Sequence, residues 1–105
     1  MNTNKEYIAM SAIYIDDKKV YDFQKAYGVN SGIVFCGYRH PYIYIPKSFQ
    51  KYDKIYGFIT NYGRFVNRKE ACNIAIECGQ VEKEFVQTGE LFSEDIFKFQ
   101  LNSAI

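Results

Sequence analysis

Residues 57–79 read GFITNYGRFVNRKEACNIAIECG and contain both a start signal and an end signal for a helix. Asn67, followed three residues later by Glu70, has the pattern of a capping box, in which each side chain pairs with a backbone N–H group of the first turn. Gly79 is the residue type that most often ends a helix, because it tolerates a left-handed backbone. The stretch therefore predicts a helix over Arg68–Cys78. Apolar residues recur along one face of it at helical spacing: Ala71, Ile74, Ala75 and Cys78.

Basic side chains surround the start of this predicted helix, where the helix dipole is already positive. Arg68 and Lys69 occupy the first turn, and Arg64 lies just before it. The last predicted helix opens instead with Ser93-Glu94-Asp95, a capping serine followed by the acids that the dipole favours. A helix N-terminus with basic side chains is a common phosphate site. We therefore expect Arg64 and Arg68 to hold one anion between them; the alternative is that they pair with glutamates or cover aromatic surface.

The rest of the chain predicts an α+β fold. We expect a hairpin arm at Val20–Tyr21 and a short strand at Val81–Val86. We also expect a final short helix from Glu94 to about Leu101. Because the strands come first, we expect a small antiparallel sheet from the N-terminal half, with one main and one short helix in the C-terminal half. The three clearest strands are Tyr7–Ile15, Ser31–Tyr38 and Ile55–Thr60.

The connection over Pro41–Tyr52 has conflicting signals. Pro41 suits the first position of a helix, but Pro46 would break a helix that began there. Tyr42–Ile45 alternates like a strand. We expect a short irregular or helical connection.

Length and charge limit the classes of function. The 105 residues predict one domain, residues 1–105. A net charge of +1 argues against binding to DNA or to a membrane surface, since both need a strongly basic face. No apolar run reaches the roughly 18 residues that span a bilayer, and the polar start shows no signal-peptide pattern. The cysteines lack metal-ligand spacing, so we expect reduced thiols in a cytoplasmic protein with no metal and no cofactor: Cys36, Cys72 and Cys78.

The arginines carry more information than any catalytic pattern. Each of the three lies at the end of a predicted strand or at the start of the main helix, and guanidinium groups suit bidentate phosphate contact. His40 has no nucleophile or orienting acid at recognisable spacing, so the sequence indicates no catalytic residue. The ten Tyr and nine Phe side chains either fill the core or serve as stacking faces and subunit contacts. The candidate ligand-binding residues are Arg39, His40, Asn61, Arg64, Phe65 and Arg68.

Several blocks together resemble a family of small phage proteins, the Thoeris anti-defence proteins of the first type. The blocks are SAIYI (11–15) with KVY (19–21), GIVFCGYRH (32–40), GFITNYGRFVNRKEACNIAIECGQ (57–80) and LFSEDIF (91–97). The resemblance covers about Met10 to Phe97, and the block from 57 to 80 is the most specific.

The resemblance implies a binding protein rather than an enzyme. Members of that family are α+β proteins that assemble through dimers towards hexamers. They sequester a cyclic ADP-ribose isomer made by a bacterial immune sensor. Some members also bind cyclic oligonucleotides at separate sites. Family arginines hold phosphates, and the matching positions here are Arg64 and Arg68, so replacing either with alanine is expected to abolish ligand retention. Ile33 and Pro41-Tyr42 depart from the family pattern in the half of the site that contacts the base.

Two other functions fit the sequence. One is a hydrolase acting on a nucleotide signal through His40, which would release an altered ligand. The other is a protein-binding inhibitor whose aromatic surface covers a host defence factor. Intact ligand recovered from the protein would exclude the hydrolase, whereas a co-purified host protein without a small ligand would favour the inhibitor.

Overall fold

The computed structural model describes residues 5–23, 26 and 28–98, and the strands in these ranges form one antiparallel sheet. The strands lie in the order β2-β1-β3-β4, and every neighbouring pair is antiparallel. The predicted α+β class, with a sheet mostly from the N-terminal half, is confirmed. The strands are β1 (Ile8–Ile15), β2 (Ile33–Gly37), β3 (Ile55–Thr60) and β4 (Phe65–Asn67).

The main helix, α1, spans Arg68–Glu77 and begins as the sequence predicts. Asn67 Oδ1 accepts a hydrogen bond from the Glu70 N–H group at 2.9 Å, and Glu70 Oε1 accepts one from the Asn67 N–H group at 3.1 Å. Gly79 has a φ of +84°, as expected just beyond a helix end. Within the described ranges, no helix combines the length and the apolar character needed to cross a bilayer.

The short helix, α2, spans Ser93–Ile96 and is shorter than predicted. Ser93 is its first residue rather than its cap, and the Phe92 N–H group donates to Asp95 Oδ2 at 2.8 Å. The helix ends before Phe97, whose ring packs 5.2 Å from that of Tyr38. The predicted end near Leu101 lies outside the described residues.

The predicted hairpin arm at Val20–Tyr21 is wrong, because this segment is not a strand. The preceding turn is held by its own side chains. The Asp17 carboxylate accepts hydrogen bonds from the Lys19 N–H group at 3.0 Å and from the Tyr21 hydroxyl. Such local bonds compete with pairing in a sheet.

The predicted strand over Val81–Val86 is also wrong. The Val81 N–H group donates to Ala75 O at 3.3 Å, so the segment starts against the end of α1. It then forms a 3₁₀ turn at Lys83–Phe85. Val86 is buried in the core and Val81 packs against it, and the segment pairs with no strand of the described sheet.

The connection between β2 and β3 contains two 3₁₀ turns, His40–Tyr42 and Lys47–Phe49, which agrees with the expected irregular or helical connection. It covers one end of the sheet. Ile45 is buried there against β1, in a cluster that includes Ile13 and Ile15. Partly buried side chains complete that cluster: Phe35, Ile43, Phe49 and Tyr52.

A larger core joins the sheet to α1. Phe58 at the centre of β3 and Val66 on β4 are fully buried, and they pair across the two strands. The face of α1 predicted from its spacing is partly correct, since Ala71 and Ala75 are buried there. The other buried members of this core are Ile8, Cys72, Val86 and Leu91.

The strand β4 was not predicted, because its three residues lead directly into α1. The hairpin between β3 and β4 turns at 61–63, where Gly63 has a φ of +78°. The Thr60 N–H group donates to Arg64 O at 3.0 Å and closes the turn. This hairpin sets the direction in which α1 begins.

The Gln80 side chain takes the place of a neighbouring strand at the start of β1. Its Oε1 accepts from the Ile8 N–H group at 2.8 Å, and its Nε2 donates to Ile8 O at 2.9 Å. Ile8 is only 2% exposed, so Gln80→Ala would leave two buried backbone groups unpaired. We expect a loss of about 2 kcal/mol in the free energy of unfolding. Urea unfolding measures it, and Gln87→Ala, at an exposed position, is the control that should change little.

Candidate functional site

Arg68, the first residue of α1, is held between two aromatic rings. Its Cζ atom lies 5.1 Å from the ring centre of Tyr56 on β3 and 4.5 Å from that of Phe92, just before α2. The Leu91 N–H group donates to Arg68 O at 3.0 Å and fixes the segment that carries Phe92. With rings near the guanidinium group, the N–H groups at its edge remain available for hydrogen bonds.

His40 contacts the same Tyr56 ring. The two ring centres are 5.5 Å apart, and the ring of Phe58 lies 5.1 Å from His40 on the same sheet face. His40 Nε2 lies 2.8 Å from Gly57 O, and the His40 backbone N–H group donates to Ser93 Oγ at 3.3 Å. The 3₁₀ turn, the sheet and α2 therefore all position this ring.

The protonation state of His40 follows from this position. Burial lowers the pKa of His40; the contact with the Gly57 carbonyl opposes that change, and the positive charge of Arg68 adds to it. A lowered pKa leaves the imidazole neutral at pH 7. The neutral ring donates through Nε2 to Gly57 O, so Nδ1 carries the lone pair.

Three basic side chains here hold buried polar atoms that are not hydrogen-bonded within the described part of the chain. These atoms are Arg39 Nε, His40 Nδ1 and Arg68 Nε. A buried polar group without a partner costs about 1–3 kcal/mol, so such groups call for a reason. Arg68 also forms no ion pair with any residue in the described ranges. We call His40, Tyr56, Arg68 and Phe92 the Arg68 cluster; Arg39 precedes His40 in the chain.

Arg64 has a different environment. Its Nε and Nη2 atoms each donate to the Glu6 carboxylate at 2.9 Å, and its Nη1 lies 3.8 Å from Glu70 Oε2. The guanidinium fork is therefore occupied by an acid of its own chain. This is the alternative role that the sequence left open, and the structure gives Arg64 and Arg68 different partners rather than one shared position.

Asn61 and Phe65 also have partners within the chain. Asn61 Oδ1 accepts from the Tyr7 N–H group at 2.7 Å, and its Nδ2 donates to Lys5 O at 3.1 Å. Phe65 packs 5.6 Å from Tyr14. Because side chains alternate along paired strands, Phe65 lies on the sheet face opposite Tyr56.

The six candidate residues thus separate into two groups. His40 and Arg68 belong to the Arg68 cluster and Arg39 precedes His40 in the chain, whereas the other three stabilise the β3–β4 hairpin and its surroundings. Sequence reasoning did not single out the two rings of the cluster, Tyr56 and Phe92. The only available signals were a tyrosine in the third strand and a phenylalanine immediately before Ser93-Glu94-Asp95.

The ion pair between Glu6 and Arg64 predicts a dependence of stability on pH. The hydrogen bond from Arg64 lowers the pKa of Glu6 from its ordinary value of 4.5. A carboxylate with a lowered pKa stabilises the folded state above pH 4.5, and this stabilisation disappears as the pH falls through the lowered value. We expect Glu6→Gln to lower the melting temperature at pH 7 and to have less effect at a pH below the lowered pKa of Glu6. A difference that stays constant between these pH values would contradict this role; Glu90→Gln, at an exposed position, is the control.

Comparison with known proteins identifies a family for the chain. A family model described as "Phage T4 y16D protein" matches residues 7–97, which is most of the chain. No curated protein and no solved structure matches the chain significantly. The description of the family does not mention Thoeris anti-defence.

Proposed function

Because the chain belongs to the phage T4 y16D protein family, we propose that it is a phage protein that counteracts host immunity by sequestering a nucleotide signal. The ligand is a cyclic ADP-ribose isomer or a related cyclic nucleotide, which the protein holds without cleaving. It acts in the host cytoplasm as a homo-oligomer, a dimer or a hexamer. The resemblance to the Thoeris anti-defence proteins and the chemistry of the Arg68 cluster support this proposal.

The observation that carries the proposal is the state of Arg68. The guanidinium group is positive, is packed against Tyr56 and Phe92, and has no acid partner among the described residues. Its charge disfavours protonation of His40 nearby. A phosphate group would supply acceptor oxygens and the missing negative charge together.

The position of His40 favours binding over hydrolysis. Its Nε2 is engaged by the Gly57 carbonyl, and its Nδ1 is buried. A general base must reach the proton that it removes. Sequestration requires only a pocket that holds the ligand, so it needs no such group.

Calorimetry with individual cyclic ADP-ribose isomers tests the proposal. We expect saturable binding of at least one isomer, and mass spectrometry of the material released by heat should recover that isomer unchanged. Linear ADP-ribose in the released fraction would show hydrolysis and contradict sequestration. Absence of binding to every isomer and, in the same assay, to related cyclic nucleotides would remove the proposed function.

A protein-binding inhibitor is the second candidate, and exposed aromatic side chains favour it. Tyr44 is 78% exposed and Phe85 is 75% exposed, so both rings present apolar surface that a partner protein could cover. A host protein that co-purifies with the chain, and is lost when both rings are replaced by serine, would support this candidate. Calorimetry should then show no binding of the cyclic isomers.

A further inference from the structure

A groove of about 500 Å³ lies along α1, beyond the Arg68 cluster. One wall is α1 and the other is the segment 83–89, which includes the 3₁₀ turn Lys83–Phe85. This volume lies in the range of small-molecule sites, about 300–1,000 Å³. The described residues that line it are Cys72, Asn73, Ile76, Lys83, Glu84, Val86, Gln87 and Gly89.

The groove and the Arg68 cluster both involve α1 and the segment that leads to α2. Arg68, Cys72 and Ile76 are spaced four residues apart on α1, so they follow one face, with a rise of about 6 Å between neighbours. The opposite wall continues from Gly89 to Leu91, which is hydrogen-bonded to Arg68 O, and then to Phe92, whose ring lies near Arg68. Along α1, Arg68 therefore lies about one helical turn before Cys72, the first residue of the groove.

The lining of the groove suits a flat heterocyclic ring. Its floor is apolar, with the buried side chains of Cys72 and Val86 beside Ile76. Two amides stand at its rim. The Asn73 side chain makes no hydrogen bond within the described ranges, and Gln87 Nε2 donates to Glu84 O at 3.0 Å, which leaves its carbonyl oxygen available. A nucleobase has apolar faces and an edge of donors and acceptors, so it matches both features.

We infer that this groove holds the base of a nucleotide whose phosphate is bound at the Arg68 cluster. The inference rests on the proposed function and assigns the groove as a base-binding subsite. Its ligand class is a nucleotide in which a phosphate and a base are separated by one sugar. The subsite makes a nucleotide a better ligand than its phosphate part alone.

The test compares two probes by calorimetry: inorganic pyrophosphate and the cyclic ADP-ribose isomer that the unmodified protein binds most tightly. The double variant Asn73→Ala/Gln87→Ala removes the rim amides at two exposed positions of the fold. We expect about a tenfold loss of affinity for the cyclic isomer, with pyrophosphate binding unchanged. Ile76→Phe, which fills the groove, should give a similar loss. Glu77→Ala, on α1 outside the groove, is the matched control and should bind both probes normally.

The possible results distinguish failure of the base-binding subsite from failure of the proposed function. Loss confined to the cyclic isomer supports the inference. Unchanged binding in the double variant and in Ile76→Phe, with binding lost in Arg68→Ala, overturns the subsite while the proposed function stands. If the unmodified protein binds no cyclic isomer and no related cyclic nucleotide, both fail. Thermal melting of each variant confirms that it is folded before the affinities are compared.

Discussion

Replacing Arg68 with alanine is expected to weaken binding of the cyclic ADP-ribose isomer about a hundredfold, the typical loss when one partner of a buried charged contact is removed. Arg68 provides the charge and the hydrogen-bonding edge at the centre of its cluster. Arg64→Ala is expected to change the affinity by no more than about threefold, because Glu6 already occupies that guanidinium group. The sequence alone predicted equal losses for both variants.

Calorimetry measures both affinities, and Arg68→Lys adds a third comparison. Lysine keeps the positive charge but lacks the planar fork, so it should retain only part of the binding. If Arg64→Ala and Arg68→Ala melt normally and lose equal affinity for the cyclic isomer, the result would support one site shared by the two arginines. Normal binding by Arg68→Ala would show that the Arg68 cluster does not bind the ligand.

Replacing Gly57 with alanine is expected to cause the largest loss of stability among single substitutions proposed for this chain. A Cβ atom at this position would clash with the Val66 carbonyl oxygen and would stand 2.7 Å from Phe65 Cζ. Val66 belongs to the paired strand and cannot move aside without disturbing the β3–β4 hairpin. We expect a loss of about 3 kcal/mol in the free energy of unfolding, which lowers the melting temperature by roughly 15 °C.

Thermal melting followed by circular dichroism measures this loss, with Gly79→Ala as the matched control. Gly79 has a φ of +84°, and a Cβ atom added there would meet no other group within 4 Å. The control therefore carries only the backbone cost of about 1 kcal/mol. Similar melting temperatures for the two variants would show that the close approach at Gly57 is relieved easily.

The sequence predicted elements whose signals are local. Asn67 and Glu70 lie within one turn, so the start of α1 could be identified without knowledge of the rest of the chain. The three clearest strands likewise carry their own apolar patterns. The segment over Val81–Val86 shows the limit of this reasoning, since its apolar residues indicate burial but do not show whether a partner strand is present.

The candidate site was predicted less completely, because its partners are distant in sequence. The pairing of Arg64 with Glu6 spans 58 residues, and no local pattern indicates it. Arg68 was identified from its place at the start of a helix, but Tyr56 and Phe92 reach it from either side in the sequence. Which rings surround a given cation depends on the register of β3 and on the path of the segment before α2.

The contact between Gln80 and Ile8 has a consequence for synthesis of the protein on the ribosome. The two residues are 72 positions apart, so a nascent chain that has emerged only as far as residue 79 lacks the group that completes its first strand. Strand β1, which precedes the other strands in the sequence, is therefore among the last to acquire its final hydrogen bonds. A fragment that stops before Gln80 should fail to reproduce the native sheet, even though it contains all four strands.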